Sequence, residues 1–220
     1  MSPIRPSTTS RSRPLFIVLE GIDGSGTTTQ LLRLTQRLRG RGRDVLSTRE
    51  PSDGPVGRLL RAILLGEHGL VDDRAMALLF AADRRDHLAR EIDPALTAGM
   101  DVVSDRYVLS SLAYQSLEAD RAWVEILAEK IRKPDLTLVL DVPVAVAAER
   151  RRHAGRPTER YDADGILDRV AANYRSLASE MGSRFGPVVV LDGSGPIDEV
   201  DRAIDLEIDR LIIDTQADSW

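Results

Sequence analysis

Residues 21–29 read GIDGSGTTT, and their types and spacing suit the binding of an anion. Three glycines, Gly21, Gly24 and Gly26, let the backbone curl so that successive N–H groups converge on phosphate oxygens. The stretch follows the apolar run 15–20 (LFIVLE) and precedes QLLRLTQRLRG, so it joins a buried strand to an amphipathic helix. Such a helix presents its positive N-terminal end to the loop. The phosphate-loop pattern G-x-x-x-x-G-K-[ST] is met at Gly21, Gly26 and Thr28, whose hydroxyl stands where a Mg²⁺ ligand is expected. Ser25, Thr27 and Thr29 add further groups for the phosphates of ATP. Thr27, however, replaces the lysine. Two unit charges 4 Å apart attract by about 4 kcal/mol at an effective dielectric of 20, so an uncompensated loss would cost roughly two to three decades in rate. Charge must then come from elsewhere. Taken alone, the loop also fits a glycine-rich turn that merely allows tight packing of strand on helix.

Five further clusters lie downstream: TREP at 48–51, LFAADR at 79–84, SDRY at 104–107, SSLAYQ at 110–115 and LVLDVP at 138–143. Most stand at the carboxyl end of an apolar run or just after it, where open α/β sheets bind ligands. Phe80 and Arg84, like Ser111 and Gln115, are spaced i and i+4 and therefore share a helix face. The planar fork of Arg106 suits two phosphate oxygens at once, and its neighbour Asp105 is an acid aimed from a strand end. Segment 149–162 (ERRRHAGRPTERYD) carries Arg150, Arg151, Arg152, Arg156 and Arg160. By itself it reads as a solvated charged loop; beside a bound phosphate it reads as a mobile lid.

The elements needed to bring these residues together are legible as a βα alternation. Strand-length apolar runs fall at 15–19, 44–47, 101–104, 136–140 and 187–191. Helical periodicity covers 28–39, 56–65, 73–92, 110–131, 144–152, 166–185 and 197–212. The expected fold is α/β, a five-stranded parallel sheet with helices on both faces. The chain of 220 residues, 42% hydrophobic, suits one domain over 14–212, with a basic tail at 1–13 and a short tail at 213–220. A net charge of -5 and few aromatics give no extended track for nucleic acid or anionic membrane. No apolar run reaches the roughly 18 residues of a membrane span, and zero cysteines exclude thiolate chemistry and suit a cytoplasmic setting.

The series EGIDGSG, TREP, LLFAADRR, DRY, SSLAYQ and LDVP, in that order within residues 15–200, resembles the thymidylate kinases. The resemblance implies a P-loop nucleoside-monophosphate-kinase fold, transfer of the γ-phosphoryl of ATP to dTMP with Mg²⁺, and a homodimer. It places Asp23 near the sugar 3′-hydroxyl and the acceptor phosphate, Arg106 on that phosphate, and Thr28 with Asp105 at the metal. It places Phe80 under the base, Arg84 at a base carbonyl, Ser111 and Gln115 beside the base, Arg61 in the substrate site and Tyr114 against the sugar 2′ position. Gly24 and Ser25 are not arginines, so the chain resembles the form with a lid arginine, which points to Arg152, Arg156 and Arg160 over the ATP phosphates. A catalytically weak or inactive nucleotide-binding homologue, and a kinase for another nucleoside monophosphate, are the alternative readings.

Overall fold

The structure, a computed structural model, describes residues 13–155, 161, 165–180 and 182–217. Arg156 and Arg160 lie outside the described residues. Five parallel strands, β1 (Phe16–Glu20), β2 (Val45–Arg49), β3 (Asp101–Asp105), β4 (Leu136–Asp141) and β5 (Val188–Asp192), pair in the order β2-β3-β1-β4-β5. β1 is therefore central, and its alternate side chains feed two cores. Phe16 and Val18 join one, Ile17 and Leu19 the other, and all four are essentially inaccessible. Burial on both faces explains the unbroken apolar run.

Helices α1 (Thr27–Gly40) and α10 (Ile197–Ala217) cover one face through Leu34, Leu38, Ile204 and Ile208. Along their seam Arg33, Arg37 and Arg41 pair with Asp198, Asp201, Asp205 and Asp209. Between β2 and β3 run α2 (Pro55–Leu64), α3 (Asp73–His87) and α4 (Asp93–Thr97). The other face is covered chiefly by α5 (Val108–Gln115), α6 (Arg121–Leu127) and α8 (Ile166–Glu180), with α9 (Gly182–Phe185) following. α7 (Val144–His153) follows β4 and leads towards the arginine-rich segment.

Several boundaries differ from the sequence reading for identifiable reasons. The helix expected over 110–131 is two helices, because Asp120 caps a new start by accepting from the Trp123 N–H at 2.9 Å. The helix expected to end at 92 passes through a π-turn at Leu88–Ile92 into α4, with Pro94 in the turn that follows. The last helix runs on to Ala217. The helix expected over 144–152 is α7, whose last turns take in the start of the arginine-rich segment.

Candidate active site

The loop after β1 and the first turn of α1 form one wall of a cavity of about 320 Å³. Gly21, Gly24 and Gly26 all have positive φ. At Gly24 the requirement is doubled, since φ is +89° and a Cβ would stand 2.3 Å from the Ala147 carbonyl oxygen. The backbone of α7 thus lies against the loop, and an arginine at position 24 has no room. Thr27, at the lysine position, is buried and lines the cavity with Ser25, Thr28 and Thr29.

Thr28 Oγ1 donates to Asp105 Oδ2 at 2.6 Å, bringing together the two residues expected at the metal. Asp105 Oδ1 is buried without a hydrogen-bond partner. Two hard oxygen groups, one carrying an unused buried acceptor, fit Mg²⁺, which takes few protein ligands and keeps water and phosphate oxygens.

Arg106 follows β3 with a left-handed backbone, φ 74°, costly for a residue with a Cβ. The conformation is held by an Arg106 N–H bond to the Leu19 carbonyl at 2.8 Å and a Ser104 hydroxyl bond to the Arg106 carbonyl at 2.8 Å. It turns the guanidinium to Asp23: Nη2 donates to Oδ1 at 2.9 Å, while the Tyr114 hydroxyl donates to Oδ2 at 3.2 Å. Burial works against the charge on Arg106, but Tyr114, Asp23 and other neighbours carry its pKa well above the ordinary value, so it remains a cation. Burial likewise pushes the Tyr114 hydroxyl up, keeping it a donor.

A second cavity adjoins the first. Phe80, Arg84, Ser111, Tyr114 and Gln115 all line it, and Asp23 and Arg106 line both cavities. Phe80 is half-buried and offers a ring to the slot. Gln115 Oε1 is a buried acceptor without a partner. Arg84 is more committed than the sequence suggested. Its Nε and Nη2 donate to Glu50 Oε2 at 3.0 and 2.8 Å, and Nη2 also reaches the Tyr107 carbonyl and Ser111 Oγ. Together with Asp83, which accepts from the Ser52 N–H and hydroxyl, this pair fixes α3 to the segment after β2. Arg61 does not line the slot. It is held outside by Asp53 Oδ1 at 2.7 Å and by the Pro51 carbonyl.

The arginines of α7 divide their tasks differently from the sequence expectation. Arg152 is exposed and paired with Glu149 on its own helix, away from the cavity lining. Arg151 does line the cavity, its Cγ 3.0 Å from where a Cβ on Gly24 would stand. Arg150 donates to four main-chain carbonyls, those of Ser25 at 3.3 Å, Gly193 at 2.9 Å, Ser194 at 3.0 Å and Gly195 at 3.2 Å. One guanidinium thereby ties the phosphate loop to the loop after β5. Glu20, Tyr174 and Arg150 were not singled out from sequence; three arginines in a row give no sign of which one turns inward.

The family model for thymidylate kinase matches residues 19–204. A probable thymidylate kinase of Pyrobaculum aerophilum is 39% identical over 198 residues, covering 90% of this chain and 97% of that protein. A thymidylate kinase of Bifidobacterium longum subsp. infantis is 39% identical over 218 residues, covering 93% and 90% respectively. With the phosphate loop, the Asp23–Arg106 pair and the aromatic slot all in place, the chain belongs to the thymidylate kinase family.

Proposed function

We propose that this protein transfers the γ-phosphoryl of ATP to dTMP, giving dTDP for dTTP synthesis. One observation carries the reading: the phosphate-loop cavity and the aromatic slot meet at a shared Asp23–Arg106 pair. Donor and acceptor phosphates bound on either side would face each other across that pair. Phosphoryl transfer asks mainly for alignment and for neutralisation of the equatorial oxygens, which fixed donors supply at no reorganisation cost.

In this reading the loop amides and the α1 N-terminus hold the ATP phosphates. Thr28 and Asp105 would hold Mg²⁺, which would supply positive charge against the donor phosphates. Arg106 forks the acceptor phosphate, and Asp23 accepts from the 3′-hydroxyl while keeping Arg106 oriented. Thymine lies on Phe80, with Ser111, Gln115 and Arg84 at its edge. Tyr114, held by Asp23, crowds the 2′ position. Thr27 gives a hydroxyl to phosphate, and Arg151 supplies positive charge that the loop lacks. Arg152, Arg156 and Arg160 belong to the segment that would close over the donor, and Arg61 guards the outer rim of the acceptor side. A homodimer is part of the proposal. No helix among the described residues is long and apolar enough to cross a membrane, and a cytoplasmic location is part of the proposal.

An acceptor series tests the specificity. With ATP and Mg²⁺, kcat/KM should be highest for dTMP and lower by about 10-fold or more for the ribose analogue that meets Tyr114. A preference for a purine monophosphate would contradict the slot assignment.

A further inference from the structure

Behind Arg106 lies a cluster of Glu20, Ser110 and Tyr174, of which Ser110 also lines the second cavity while Glu20 and Tyr174 line neither. Glu20, at the end of β1, is completely buried. Its Oε1 accepts the N–H groups of Tyr107 at 2.9 Å and Ser110 at 3.1 Å. Its Oε2 accepts the hydroxyls of Ser110 at 2.6 Å and Tyr174 at 3.0 Å. Those two hydroxyls are 2.8 Å apart, and both also lie within reach of Arg106 Nη1, at 3.2 Å for Ser110 and 3.4 Å for Tyr174. Burial raises the pKa of Glu20, opposed by the Ser110 hydrogen bond and the charge of Arg106. Burial raises that of Tyr174 as well, so its hydroxyl keeps its proton.

A buried carboxylate is tolerated only when its lone pairs are met, and four donors meet these. Arg106 is consequently held from two sides. Nη2 rests directly on Asp23, which stands at the open junction of the cavities and must share its partner with any incoming phosphate. Nη1 rests on two hydroxyls backed by Glu20, and of these groups Glu20 and Tyr174 are buried away from both cavities. The Oε1 bond to the Tyr107 N–H also fixes the residue next to the strained backbone of Arg106. Tyr174 arrives from α8, the helix just beyond the arginine-rich segment, so the seating of α8 reaches the acceptor arginine through one hydroxyl.

We propose that Glu20, Ser110 and Tyr174 form a second anchor for Arg106, independent of substrate, that presets its fork for the acceptor phosphate, with Tyr174 as a positioning residue supplied by α8. This rests on the reading of Arg106 as the acceptor-phosphate arginine. Tyr174→Phe keeps the ring, its edge-on packing with Tyr114 at 6.4 Å included, and removes only the hydroxyl. The variant should raise the KM for dTMP about 5- to 10-fold, with the KM for ATP within twofold of wild type, and calorimetric dTMP affinity should fall in parallel. A hydroxyl that serves stability alone would lower the thermal midpoint and leave both KM values in place; that result, or an equal rise in both, overturns the proposal. Should Tyr174→Phe fold poorly, Ser110→Ala removes the other relay hydroxyl and must give the same dTMP-selective change. A wild type that turns over no dTMP would remove the functional reading and this anchor with it, whereas an active wild type with an unaffected Tyr174→Phe removes the anchor alone.

Discussion

Arg106→Ala should lower kcat/KM for dTMP by about 10²- to 10³-fold, the scale of losing one preorganised donor to a charge that is transferred or developing. Among the described residues Arg106 is the one arginine lining both cavities, it remains charged, and its turn is held in a costly backbone conformation that the surroundings fix. Alanine also leaves Asp23 and the Ser110–Tyr174 hydroxyls facing each other without the cation between them. Arg106→Lys should recover only part of the loss, because an ammonium restores charge but not the fork. A coupled assay with varied dTMP reads the effect, and a change below threefold with a normal melting curve would refute the assignment.

Asp105→Asn should raise the Mg²⁺ concentration giving half-maximal activity by about 10- to 100-fold, the usual cost of disturbing a ligand or the group that orients it. Asp105 accepts the Thr28 hydroxyl and keeps a second buried oxygen unpaired, and asparagine weakens the first feature while removing the negative charge. Calorimetry of ATP binding with and without Mg²⁺ offers a readout separate from turnover. The metal-dependent gain in ATP affinity should shrink in Asp105→Asn and in Thr28→Val. An unchanged gain in both would move the metal site elsewhere.

The features that sequence made legible were those carried by periodicity or by glycine. Buried parallel strands read as apolar runs because both faces are covered, as at Phe16–Glu20. The loop at Gly21 to Gly26 was legible because its φ values exclude most side chains. Phe80 with Arg84 was legible because i and i+4 share a helix face. What escaped depends on long-range placement. Tyr174 looks like any core aromatic in an amphipathic helix, yet its hydroxyl meets residues 64 and 154 positions away. Arg84 was expected at the base, but burial beside Glu50 engages most of its guanidinium first. Of the run Arg150-Arg151-Arg152, the resemblance points to Arg152 at the ATP phosphates. On α7, however, successive residues point some 100° apart, so one seals two loops, one lines the cavity and one meets solvent.

In the proposed reaction, main-chain amides and guanidinium groups replace the loop ammonium well enough to move a phosphoryl group onto dTMP. Phosphorus NMR of the purified protein with ATP, dTMP and Mg²⁺ tests it directly. ADP and dTDP should accumulate equally, at a rate far above that of Arg106→Ala. A spectrum in which dTMP persists unchanged, with no dTDP above the Arg106→Ala level, would contradict it.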